Sequence, residues 1–160
     1  MRILLTGAHG FIGSALLKEP TTHEIIAAGR GWIERPAEVQ WENFDALIHL
    51  AAAGVQRVDR EWDECMKVNF QALQDMLNAI EKSGATPTIY LACTIFDKTM
   101  GTKMELWKDP YAVSKRLGTM YAQDWEKRYR GRLILDDIAS CYQPGEVEIV
   151  AQRIIRLVTT

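Results

Sequence analysis

The sequence predicts an α/β fold, a doubly wound parallel sheet with helices on both faces, forming a single three-layer domain over residues 1–160. Three observations lead there. Short apolar runs alternate with stretches of helical period. The first apolar run passes straight into a glycine-rich turn and then a helix. The composition, 48% hydrophobic and 25% charged, is that of a chain with a packed core and a solvated surface.

Taken in order, residues 2–5 read as a buried strand and 11–18 as the first turns of a helix. Residues 23–28 form a second strand, bounded by Pro20, Thr21 and Thr22 before it and by Gly29 to Gly31 after it. Residues 39–41 are a short third strand. Only Glu42, Asn43 and Phe44 separate it from the next, too few for a crossover helix, so this junction is abbreviated. Residues 45–53 are a core strand. Over 59–83 the residues Trp62, Cys65, Met66, Phe70, Leu73, Met76, Leu77 and Ile80 share one helical stripe, and Gly84 stops the helix. Residues 88–93 form the next strand, 111–129 a long helix with Leu117, Met120, Tyr121 and Trp125 on one face, and 133–138 the last strand. The chain ends in an apolar helix carrying Val147, Val150, Ile154, Leu157 and Val158.

The net charge of −2 offers no field to draw phosphate backbones or anionic lipid, so neither nucleic acid nor a membrane surface is an expected partner. Cys65, Cys93 and Cys141 are too few and too scattered for a disulfide framework or a metal or redox pair. They read as buried reduced thiols, and no metal is expected. With no cleavable leader pattern and no run of transmembrane length, a cytoplasmic location is expected.

The first turn reads Thr6-Gly7-Ala8-His9-Gly10-Phe11-Ile12-Gly13. Gly7 permits a tight turn, Gly10 lets backbone approach a pyrophosphate, and Gly13 lets helix pack closely on sheet. The N–H groups of the helix start then face the anion. At the end of the second strand, Ala28-Gly29-Arg30 carries no carboxylate for the ribose hydroxyls. Arg30 could pair with a 2'-phosphate, which favours NADP(H) while leaving NAD(H) possible; otherwise Arg30 is a solvated loop residue. Tyr111 and Lys115 stand at i and i+4, so a cation lies near a phenol able to exchange a proton with a hydroxyl or carbonyl.

In the order TGAHGFIG, followed by Tyr111 and Lys115, the chain resembles the extended short-chain dehydrogenase/reductases, Rossmann-type NAD(P)-dependent enzymes of nucleotide-sugar epimerase, dehydratase and reductase chemistry. His49-Leu50-Ala51-Ala52 is similar to the family's segment lining the cofactor groove, and Val68-Asn69 to its following helix motif. Tyr142-Gln143-Pro144-Gly145-Glu146 is similar to its Tyr-Gly-Pro-Gly-Glu stretch, with Gln143 replacing a glycine. The resemblance implies cofactor contacts from Gly7, His9, Gly10, Phe11, Ile12, Gly13, Arg30, Leu50, Ala51, Ala52, Asn69, Tyr111 and Lys115, with Lys115 bonding the nicotinamide ribose. It implies a nucleotide sugar as substrate and a homodimer through the 59–83 and 111–129 helices.

Two departures stand out. The family holds its substrate oxygen with a serine or threonine at the end of the fifth strand, where this chain has Ala92; Thr94, two residues on, is the candidate substitute. Members acting on nucleotide sugars also carry a C-terminal substrate region that is largely absent here. An alternative reading is therefore a truncated or catalytically silent NADP(H)-binding module or subunit.

Overall fold

The computed structural model describes residues 1–94, 104–129, 131–138 and 145–160. Among them, strands β1 (Arg2–Thr6), β2 (Glu24–Ala27), β3 (Ala46–His49), β4 (Thr88–Cys93) and β5 (Leu133–Asp137) make one sheet in the order β2-β1-β3-β4-β5. Every pairing is parallel, with Ile3 opposite Ala46 and Ile25, and Ala46 opposite Thr88. Leaving β1, the chain first moves to one side, to β2, and then returns to the other side, to β3. The sheet therefore has a switch point between β1 and β3, where strand ends diverge and a crevice opens at their carboxyl side.

Strand alternation sorts the core into two layers. Leu4, Leu47, Ile89 and Leu91 pack under helices α4 (Ala72–Ser83) and α5 (Pro110–Tyr129), meeting Leu73, Met76, Leu77, Ile80 and Trp125. Ile3, Leu5, Ile48 and Tyr90 face the opposite layer, meeting Leu16 of α1 (Phe11–Leu16) and Ala151, Ile154 and Val158 of α6 (Glu146–Thr159). Burying each large side chain contributes about 1.5–3 kcal/mol. The result is the three-layer Rossmann-type α/β arrangement.

The expected strand over residues 39–41 does not form. After the short helix α2 (Arg30–Glu34), residues Pro36–Glu38 and Trp41–Asn43 are 3-10 turns. Their backbone bonds are local, such as Val39 N–H to Pro36 O and Phe44 N–H to Trp41 O. Pro36 starts the first turn, and Trp41, 1% exposed, drops into the core while its indole N–H donates to Pro36 O at 2.9 Å. Burial of one large ring outweighs the β-propensity of Val39 and Trp41, and β2 is left at the sheet border.

Two helices also depart from a simple stripe. The helix expected over 59–83 begins as α3 (Trp62–Met66), passes through a π turn at Lys67–Gln71 and continues as α4. The π turn inserts one residue into the 3.6 period. Cys65 and Leu73 are buried, whereas Trp62, 46% exposed, falls off the stripe. Gly84 ends α4 in the left-handed conformation, φ 73°. Helix α5 buries a band of small and polar residues, Ala112, Ser114, Gly118, Thr119 and Ala122, ahead of Trp125, and leaves Met120 49% exposed. Among the described residues, no helix is long and apolar enough to cross a membrane.

Candidate active site

The crevice between β1 and β3 is lined by two backbones in unusually close approach. Gly7 has φ +71°, and a Cβ placed there would lie 2.7 Å from Ala51 N and from the Leu50 carbonyl carbon. Only glycine fits on both counts. Gly13 serves the same economy from the helix side, since its Cβ would meet Gly7 O at 2.2 Å and Ala8 Cα at 2.8 Å. Gly10 differs: its N–H donates to Gly7 O at 3.0 Å, and among the described residues an added Cβ would meet only that oxygen, at 3.2 Å. Gly7 and Gly13 thus close the turn on itself, while Gly10 leaves its outer side open to a ligand. His9 and Phe11 are exposed on this turn, with Phe11 60% accessible, and Ile12 is half-buried against the α1 layer.

Beneath the turn lies a buried polar pair. Thr6 Oγ1 and His49 Nδ1, facing each other in register at the ends of β1 and β3, are 2.8 Å apart, and Ala51 N–H donates to the same Oγ1 at 3.3 Å. His49 is 1% exposed. Burial, reinforced by the positive charge of Lys115, depresses its pKa to about 3, so the imidazole is neutral at ordinary pH. Leu50, Ala51 and Ala52 leave β3 half-exposed along the crevice.

Helix α5 delivers Tyr111 and Lys115. Asp109 caps it, accepting the Ala112 N–H at 3.0 Å, and Pro110 takes the first helical position, where its missing N–H costs nothing. Lys115 is 7% exposed and donates from Nζ to the Ala92 carbonyl at 2.7 Å. The helix is tied to the crevice through Asn69 in the π turn. Asn69 accepts the Ala53 N–H at 2.8 Å and donates from Nδ2 to Ala53 O and to Ser114 Oγ, both at 3.0 Å. Its donors are spent inside the protein, so Asn69 acts on the crevice by holding Ala53. Gly118 permits the approach of α5 at this point, because its Cβ would lie 2.7 Å from Asn69 O.

A cation stands over the Tyr111 ring. Arg60, in the loop after β3, lies with its guanidinium carbon 5.1 Å from the Tyr111 ring centroid, donates from Nε to Gly54 O at 2.9 Å, and pairs with Asp109. With Arg57, Glu105, Leu106 and Asp109 it borders an open cleft of about 430 Å³.

Thr94 is buried just past β4, at 8% exposure, and the Ala92 side chain packs toward the α1 and α6 layer. Arg30 is exposed at the first position of α2, after the end of β2. Cys65 and Cys93 are buried, with Sγ 3.8 Å from Ala53 O and 3.7 Å from Leu91 O respectively. Cys141 and the Tyr142-Gln143-Pro144 part of the Tyr142–Glu146 motif lie outside the described residues; Gly145, φ +86°, caps α6. Among the described residues no three His, Cys, Asp or Glu group as metal ligands. Sequence reasoning missed Arg60, Asp109, Ser114, Gly118 and the Thr6–His49 pair. Asp109-Pro110 was a readable helix start, and a glycine inside a long helix signals close packing. Nothing local marks Arg60.

No curated protein matches the chain in sequence. Among solved structures it is similar to a dTDP-4-dehydrorhamnose reductase from Clostridium acetobutylicum, with TM-score 0.73 and 15% identity over 99% of this chain and 70% of that one. It is also similar to RMD from Pseudomonas aeruginosa complexed with NADPH, TM-score 0.67 and 20% identity over 85% of this chain and 53% of that one. A point mutant of UDP-glucuronic acid 4-epimerase from Bacillus cereus, in complex with a fluorinated UDP-glucuronic acid and NAD, aligns with TM-score 0.64 and 20% identity over 84% and 55%. The chain spans about half the length of these last two proteins. Identities this low establish the shared fold. The sequence pattern of the NAD dependent epimerase/dehydratase family matches residues 3–159, and the chain belongs to that family.

Proposed function

We propose that the chain binds NADP(H) across the β1/β3 switch point and uses Tyr111, assisted by Lys115, for proton exchange with a hydroxyl or carbonyl of a nucleotide-linked sugar, as an oxidoreductase or epimerase/dehydratase. The observation that carries this reading is the bond network joining the crevice to α5. Ala53, Asn69 and Ser114 link the crevice wall to the turn of α5 holding Tyr111 and Lys115.

The residues fit a dinucleotide. The open side of Gly10 leaves room for a pyrophosphate, with the N–H groups of the first turn of α1 toward it. The exposed Arg30 just past the end of β2, with no carboxylate there, supports a preference for NADP(H), with NAD(H) as the alternative. The bound dinucleotide supplies the hydride acceptor or donor. Tyr111 gives or takes the proton at its phenol oxygen, and Lys115, one helical turn on and anchored on Ala92 O, supplies the positive charge that assists it. His49, held neutral by burial and by Lys115, adds no charge of its own. Thr94 is the candidate for orienting the substrate oxygen.

The test pairs NADPH and NADH titrations with turnover of nucleotide-linked keto-sugars, in the wild type and in Tyr111→Phe. Tighter NADPH binding and turnover abolished by the substitution are expected. The second reading, a silent binding module, is favoured by Ala92, which offers no hydroxyl at the strand end; cofactor binding with no turnover across the panel supports it. Pairing of two copies through α3–α4 and α5 is supported by exposed Trp62 and Met120, and native mass measurement tests it.

A further inference from the structure

The loop between β3 and α3 carries two arginines that the glycine cradle and the Tyr111–Lys115 pair do not require. Arg57 is exposed. Arg60 is different, because its side chain is only 13% exposed and three independent contacts fix it. Its Nε donates to the carbonyl of Gly54, a residue held at φ +73° with a Cβ position 2.5 Å from Cys65 Sγ, so the loop can present that carbonyl only with glycine there. Its Nη1 pairs with Asp109, whose other oxygen caps α5. Its guanidinium carbon lies 5.1 Å from the Tyr111 ring centroid. One planar cation therefore joins the loop after β3, the start of α5 and the face of the phenol.

We propose that Arg60 is a positioning residue for Tyr111: clamped between Gly54 and Asp109, it fixes the ring and adds a second positive charge over its face, favouring the phenolate. The inference rests on the assignment of Tyr111 as the acid/base. A guanidinium over an aromatic face is attracted to the ring quadrupole and is attracted more strongly once the ring carries negative charge. Among the described residues, the charged groups on the elements around Arg60 act in known directions. Lys115, one turn on from Tyr111 along α5, favours phenolate. Asp109 at the helix cap and Glu105 in the Met104–Lys108 turn oppose it, and Arg57, which lines the same cleft as Arg60, supports it weakly from solvent. A lysine could supply charge at position 60 but could not span Gly54 and Asp109 while lying flat over a ring.

The experiment follows the Tyr111 ionisation directly, by NMR of protein carrying 13C-labelled tyrosine, with the Tyr111 signal assigned by its loss in Tyr111→Phe. Even at the dielectric of water, a unit charge 5.1 Å from the ring is worth about 0.6 pH unit. Arg60→Met, which keeps the apolar stem, is expected to raise the Tyr111 midpoint by about half a unit or more. Arg60→Lys is expected to recover part of that shift. Asp109→Asn keeps the cap but frees the guanidinium charge, and is expected to lower the midpoint. These opposite signs separate an electrostatic clamp from a merely structural contact. An unmoved midpoint in Arg60→Met, or shifts of the same sign in Arg60→Met and Asp109→Asn, overturns the proposal. If Arg60→Met does not fold, the signs for Arg60→Lys and Asp109→Asn decide by the same criterion. Full turnover by Tyr111→Phe would instead remove the acid/base assignment, whatever the titration showed.

Discussion

His49 makes the stability of this protein acid-sensitive in a way that can be calculated. The imidazole is 1% exposed and hydrogen-bonded to Thr6, and its pKa is depressed from 6.5 to about 3 by burial and by Lys115. Below pH 6.5 the unfolded chain takes up a proton that the folded chain refuses. Stability is therefore fully present above pH 6.5 and falls as the pH drops toward 3. Between pH 7 and pH 5 the loss from this one residue is about 2 kcal/mol. Urea unfolding of the wild type and of His49→Gln at both pH values isolates it, because every other titrating group is common to the two proteins. The variant starts less stable, but its stability is expected to change with pH by about 2 kcal/mol less over the interval. Equal pH dependence in the two proteins, or an imidazole NMR titration centred near 6.5, would show that the fold does not hold His49 neutral.

Four further outcomes follow from the site. Gly7→Ala forces a side chain into φ +71° and to within 2.7 Å of the Ala51 nitrogen, and should cost about 2–4 kcal/mol in chemical denaturation. Gly10→Ala puts its methyl 3.2 Å from Gly7 O, so the turn must give by a few tenths of an ångström; it should cost about 1 kcal/mol, less than Gly7→Ala, yet weaken NADPH binding about tenfold or more by calorimetry. Asn69→Leu strips partners from Ala53 and Ser114 together, and thermal or urea unfolding should show a loss of about 2–4 kcal/mol. Arg30→Asp should reverse the cofactor preference, lowering NADPH affinity at least tenfold and sparing NADH in parallel titrations.

Most of the layering was legible because it depends on short-range pattern. The apolar runs at residues 2–5 and 88–93 contain their own strand signal, and the glycine spacing from Gly7 to Gly13 identified the turn before its geometry was known. Residues 39–41 misled because β-propensity is local, whereas the Trp41 ring is claimed by the core and by Pro36 O. The stripe on the helix expected over 59–83 slipped for a similar reason, since a π turn is stabilised by what it delivers, here Asn69 to Ala53, and periodicity averages over it. The face read on α5 holds at Tyr121 and Trp125, which pack on the core, and fails at Met120. The helix lies close to the π turn because Ser114 and Gly118 are small, and its bulky Met120 turns outward. At the site, residues adjacent in sequence were found, whereas partners assembled across 49 positions, such as Arg60 with Asp109, were beyond the reach of spacing.

The replacement of an expected third strand by 3-10 turns has a consequence for how the molecule meets its own kind. Strand β2 is a border strand among the described residues, with one row of backbone groups turned outward. Such a row is a template on which another chain can stack. Here it runs for only four residues, and its first, Glu24, is charged and paired with Arg2 at 3.0 Å. A foreign strand would find too little backbone to grip and an ion pair to displace. Brevity and charge thus keep the border quiet, and lengthening β2 or replacing Glu24 with valine is the change that would turn it adhesive.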